Sequence, residues 1–126
     1  LDPTKIVDIA DWGDNFFVDS TSTSMFSGCT NLQVSALPTS QPVFLPGARL
    51  DSMFSYTSFN SALDWNLTGV VSVAFMFSAT QLNQPITFSN TELLTDVRGM
   101  FSGATNFNQP ICRVLQYNQL QPTSEF

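Results

Sequence analysis

The 126-residue chain contains no histidine, which removes the side chain most often used as general base and metal ligand near neutral pH. Cations are almost as scarce. Lys5, Arg49, Arg98 and Arg113 stand against ten acids, giving a net charge of −6. Nucleic acids and anionic membrane surfaces are both held through clustered positive charge, and four scattered cations make no such cluster. No apolar run approaches the roughly 18–20 residues that cross a bilayer. Gly-x-Ser-x-Gly, Ser-x-x-Lys and glycine-rich phosphate loops are all missing, so fifteen Ser and thirteen Thr have nothing to activate them. Glu92 and Asp96 lie four apart and read as a solvated face. Half of the acids (Asp2, Asp8, Asp11, Asp14 and Asp19) crowd the first nineteen residues. Their spacing fits no calcium loop, so they read as an acidic cap. Together these absences describe a non-enzymatic chain with no cofactor, no metal and no small-molecule substrate.

What is present is polarity without charge. Charged residues make up 11% of the chain, Ser, Thr, Asn and Gln number 45, and there are twelve Phe. Aromatics in such number give the chain a core to bury and set it apart from disordered segments. Met-Phe-Ser occurs four times, at Met25, Met53, Met76 and Met100, at intervals of 28, 23 and 24 residues. An apolar residue and an amide follow each copy: Leu32-Gln33, Phe59-Asn60, Leu82-Asn83 and Phe107-Asn108. Ahead of Met-Phe, Val70, Val73, Met76 and Phe77 have the spacing of one helical face, as do Leu94, Val97, Met100 and Phe101. After the amide, Leu63 and Trp65, then Ile86 and Phe88, alternate as in a strand.

The pattern predicts an α/β repeat solenoid, leucine-rich-repeat-like, with one short parallel strand and one short helix in each of about four coils. A single domain spans 1–126. Residues 1–32 form the N-terminal cap and first coil, 33–115 the repeat coils, and 116–126 a C-terminal cap or tail. Asp19 and Ser22 replace the valines of later copies, as suits a polar end-cap. Pro38, Pro42 and Pro46 point to an irregular loop between Gln33 and Leu50. Asn60, Asn83 and Asn108 fall at equivalent places and are expected to form an internal ladder, each bonding backbone of its own turn and of the next. The chain opens on Leu1 rather than Met, which reads as a processed, truncated or partial product.

The run Met100-Phe101-Ser102-Gly103-Ala104-Thr105-Asn106-Phe107-Asn108-Gln109-Pro110-Ile111 resembles the repeat of BspA-like leucine-rich-repeat surface proteins, in the subfamily of mycoplasma-type surface lipoproteins with units of about 25 residues. Leu63-Asp64-Trp65-Asn66 with Val70 and Val73 is similar to the rest of that unit. Ile9-Ala10-Asp11-Trp12-Gly13 resembles its entry. Coil three departs from it, with Phe88 in place of Trp. The resemblance implies an extracellular, cell-surface or otherwise exported (lumenal) location and a role in adhesion or protein binding, with no active site to transfer.

Solenoids bind through the face their strands build, which here carries Ser61, Asp64, Gln84, Thr87, Gln109 and Cys112. The patch is neutral and rich in amides, suited to protein partners met by hydrogen bonding, with no nucleic acid and no membrane insertion. The alternative is a structural subunit of a large assembly such as a virion, envelope or photosynthetic complex. Phe16-Phe17-Val18 and Val43-Phe44-Leu45 are where such a subunit could expose an apolar patch. Asn66-Leu67-Thr68 is a glycosylation sequon, meaningful only on a eukaryotic secretory route. Three coils separate Cys29 from Cys112 by roughly 14 Å at ~4.8 Å each, too far for a disulfide. Alkylation in denaturant without reductant is therefore expected to add two alkyl groups. A peptide joining Cys29 to Cys112 would contradict the register.

Overall fold

The structure, a computed structural model, describes residues 3–5 and 7–110. A single 3-10 turn, Pro3–Lys5, precedes six short strands: β1 (Asp8–Ile9), β2 (Phe17–Val18), β3 (Gln33–Val34), β4 (Val43–Phe44), β5 (Leu63–Asn66) and β6 (Ile86–Ser89). They form three parallel pairs, β1 with β3, β2 with β4 and β5 with β6. Isolated parallel bridges link Thr23 to Asp51, Arg49 to Ser72 and Ser72 to Asp96. Among the described residues there is no α-helix.

The expected α/β repeat solenoid with a helix in every coil is therefore corrected. This is a small, all-β-like fold of short strand pairs joined by turns. The physical reason lies in the backbone of the segments expected to be helical. Each Met-Phe-Ser is bracketed by two residues with left-handed φ: Ser24 and Gly28, Ser52 and Tyr56, Phe75 and Ala79, Gly99 and Gly103. A right-handed helix cannot run through a left-handed residue every fourth position. The amides confirm another geometry. Those of Met53, Ser55, Met76 and Ser78 donate three residues back, to Leu50, Ser52, Val73 and Phe75. The amides between them leave the turn altogether. Ser52, Phe54 and Tyr56 donate to the carbonyls of Ala74, Met76 and Ser78, and Phe75, Phe77 and Ala79 to those of Arg98, Met100 and Ser102, all at 2.7–2.9 Å. Ser24, Phe26 and Gly28 reach Asp51, Met53 and Ser55 in the same way. Periodic apolar residues thus reflect a repeated tight turn, in which the inward positions recur at intervals of three much as on a helix.

The core fills behind these turns. Phe26, Phe54, Phe77 and Phe101 form a column of near-parallel rings 5.8–6.0 Å apart, and Phe16 extends it at 6.2 Å from Phe26. Phe59 packs face-on against Phe54 at 4.4 Å, and Phe107 against Phe101 at 4.1 Å. Offset-stacked contacts of this kind add to the burial of large apolar area. Leu63, Trp65, Ile86 and Phe88 point inward from β5 and β6, with Asp64, Asn66 and Ser89 exposed on the other side. The buried Trp65 indole donates to the Ser40 carbonyl at 2.8 Å. Cys29 occupies the position taken by Thr57, Thr80 and Ala104 in the later copies, all buried. Only a small side chain fits that column, and burial pushes the Cys29 thiol pKa up. Cys29 is a free cysteine, and Cys112 lies outside the described residues. The Pro-rich stretch is more regular than its prolines suggest, because it supplies both β3 and β4 as partners for the N-terminal strands.

The left-handed column accounts for its residue types. Glycine occupies Gly28 and Gly103, whereas Ala79 holds φ 55 at the cost of Cβ crowding. Ala79→Gly is expected to raise stability by about 0.5–1 kcal/mol and Gly103→Ala to lower it by about 1–2 kcal/mol, read from denaturant midpoints. Truncating the column at Phe77→Ala should cost about 3–5 kcal/mol in the same assay.

Candidate functional site

Strand alternation turns one set of side chains outward across β5 and β6. Asp64 sits opposite Thr87, and Asn66 opposite Ser89, in parallel register. Asp64 is exposed and Thr87 half-buried, and the Asp64 amide donates to the Pro38 carbonyl at 2.8 Å. Gln84, half-buried, precedes β6. Of the other side chains expected on this face, two turn back to the fold. The Ser61 hydroxyl donates to the Val34 carbonyl at 2.7 Å, and Gln109 Nε2 donates to Asn83, 3.1 Å from its Oδ1 and 3.3 Å from its carbonyl. Cys112 lies outside the described residues.

The asparagines form a chain of bonds. Asn60 Oδ1 accepts the Asn83 amide at 2.8 Å, and Asn83 Oδ1 accepts the Asn108 amide at 2.9 Å. All three side chains are exposed, so the ladder runs along the surface rather than through the interior. It caps backbone N–H groups of consecutive repeats from outside.

A second amide cluster escaped the sequence reading. Gln41 clasps the backbone of Asn66, its Oε1 accepting the Asn66 amide at 2.8 Å and its Nε2 donating to the Asn66 carbonyl at 3.0 Å. Asn66 Oδ1 then accepts the Thr68 amide, the Thr68 hydroxyl and Asn90 Nδ2 at 3.0, 2.6 and 3.0 Å. The Asn-x-Thr spacing was the available signal, since Asn readily bonds the amide two residues on. Gln41, 25 residues away, could not be paired with it from sequence. These groups border a polar hollow of about 620 Å³ that Asp14, Thr39 and Phe44 also line.

Charge is handled locally. Arg49 pairs with Asp51 at 2.8 Å, and the Asp51 carboxylate also accepts the Ser72 hydroxyl. Hydrogen bonds from the Arg98 side chain hold the Asp96 carboxyl below the ordinary carboxylate range, with the Arg98 amide and charge adding to the effect. Thr21, through its hydroxyl and amide, and Ser22 do the same for Asp19 at the first copy. Glu92 is exposed beside the Asp96 turn, on no helix. Among the described residues no group of three or more His, Cys, Asp or Glu is placed to hold a metal ion. Nor is any helix among them long and apolar enough to cross a membrane. The interior hydroxyls serve the backbone: Thr57 and Thr80 donate to the Phe54 and Phe77 carbonyls at 2.6 and 2.8 Å.

A family model described as "Mycoplasma protein of unknown function, DUF285" matches residues 20–124, more than four-fifths of the chain. The chain belongs to the DUF285 family. The match spans all four Met-Phe-Ser turns and the hydrogen bonds that join them. No curated protein and no solved structure matches the chain.

In this DUF285 chain the surface ladder is testable at one residue. Asn83→Ala removes the acceptor for the Asn108 amide and should cost roughly 0.5–1.5 kcal/mol, with faster hydrogen exchange at Asn108. Asn83→Asp keeps an acceptor and should keep Asn108 protected. The Asp96 pKa is lowered in the folded state, so its stabilisation is present above the unfolded carboxylate range and is lost as pH falls through the folded value. Stability measured against pH should therefore have a flatter acid limb in Arg98→Ala than in the parent chain.

Proposed function

We propose that this chain is a non-enzymatic protein-binding or adhesion module displayed at a cell surface. The observation that carries the reading is the outward face of β5 and β6, where Asp64, Asn66, Thr87 and Ser89 stand side by side. Such a face carries two hydroxyls, one amide and one carboxylate on a backbone fixed from beneath by Trp65 and Phe88. It suits a partner recognised by directional hydrogen bonds rather than by charge steering. Motif likeness to BspA-like surface repeat proteins supports the same reading and an exported location.

A second reading has its own observation. Phe17, Leu37, Phe75 and Leu93 are exposed, at 53, 73, 44 and 58%. A permanent subunit of a large assembly would bury such side chains against fixed neighbours. Cross-linking mass spectrometry on material from the native source separates the two. Varied, sparse cross-links on the β5–β6 face, weakened by Thr87→Trp, are expected for the displayed module. One partner set at fixed ratio, linked through the Phe17 and Leu93 surfaces, would replace it with the structural subunit.

A further inference from the structure

At the N-terminal end of the phenylalanine column lies a cavity of about 370 Å³, walled by Trp12, Phe16, Phe26 and Ile9 and bordered by Asp8 and Asp11. The three rings pack against one another and line one side of the cavity. Trp12 meets Phe16 at 5.5 Å and 64° and Phe26 at 5.9 Å and 62°, while the two phenylalanines are near-parallel. Phe16 and Phe26 are only half-buried. Trp12 is 5% exposed, and its indole N–H is buried with no hydrogen-bond partner among the described residues.

Two negative charges are fixed at the rim. The Ser35 amide and hydroxyl hold Asp8 at 2.9 and 2.6 Å, and the Gly13 amide holds Asp11 at 3.0 Å. The ion pairs found among the described residues join Arg49 to Asp51 and Arg98 to Asp96, and involve neither rim acid. Aromatic walls with carboxylates at the edge discriminate between kinds of cation. A hard metal ion needs six or more oxygen ligands, which rings cannot supply. A large, weakly hydrated organic cation is attracted by ring faces and by the nearby carboxylates, and its methyl groups fill apolar space.

We propose that this cavity binds an organic cation of the alkyl- or quaternary-ammonium class, with Trp12, Phe16 and Phe26 as its aromatic lining and Asp11 as the counter-charge. The site does not rest on the β5–β6 reading and stands or falls separately. Choline is the probe, titrated into the full chain while the indole N–H signals are followed by NMR. Its neutral isostere, 3,3-dimethyl-1-butanol, is titrated in parallel. The Trp12 signal should move with choline, while the Trp65 signal, tied to Ser40, stays in place. Choline should bind about 5- to 30-fold more tightly than the isostere. Asp11→Asn and Phe16→Leu should each erode that preference, and Asp11, being exposed, can be changed without disturbing the core. An unmoved Trp12 signal, equal binding of the two probes, or a preference unchanged in both variants would overturn the proposal.

Discussion

In the first three Met-Phe-Ser turns every second amide is donated outside its own repeat, and the rest of the molecule is arranged around that constraint. Strands here are two to four residues long, too short for their own pairing to hold a sheet together. The bonds from Phe26, Phe54 and Phe77 to Met53, Met76 and Met100 carry the register from copy to copy. They also bring equivalent side chains into line. A phenylalanine that follows methionine in every copy becomes a continuous ring column, and a small residue four positions after the methionine becomes a buried column of Cys29, Thr57, Thr80 and Ala104. Backbone satisfaction and aromatic packing are thus two aspects of a single repeated turn.

That arrangement has consequences for the surface. Inward positions are taken by Phe, Trp, Leu and Ile, so outward ones are free to carry short polar groups, and the chain needs few charges to remain wetted. Amides finish the edges. The Asn60–Asn83–Asn108 chain and the Gln41–Asn66 clasp both satisfy backbone groups that short strands leave unpaired. The end of the column is different, because Phe16 and Trp12 have no further repeat beyond them among the described residues. It is there that aromatic surface, an indole without a hydrogen-bond partner among the described residues, and fixed acids meet.

Much of this was legible from spacing. Four Met-Phe-Ser copies announced the repeat, and the alternation at Leu63–Trp65 and Ile86–Phe88 marked inward faces of strands. The asparagine alignment was readable too, although its placement on the surface was not. The helices were misread for a specific reason. Val70, Val73, Met76 and Phe77 recur at three- and four-residue intervals in a tight turn as well as in a helix, and periodicity alone does not separate them. The separating feature is left-handed φ at Phe75 and Ala79, residue types that give no sign of it. Gly99 and Gly103 did give one, at the equivalent positions of the last copy. The Phe75 ring lies where a Cβ on Gly99 would fall, 2.2 Å away, so even that glycine answers to a neighbour 24 residues earlier. The cavity at Trp12 was out of reach, since it joins Phe16 and Phe26 across a turn whose path the sequence did not define.

The Met-Phe-Ser turns are joined to one another rather than wound into helices. Scalar couplings across hydrogen bonds, measured by NMR from the Phe77 amide, test this directly. A coupling to the Met100 carbonyl, with its counterpart from Phe54 to Met76, is the predicted result. A coupling from Phe77 to the carbonyl of Val73, four residues back as in an α-helix, would contradict the account.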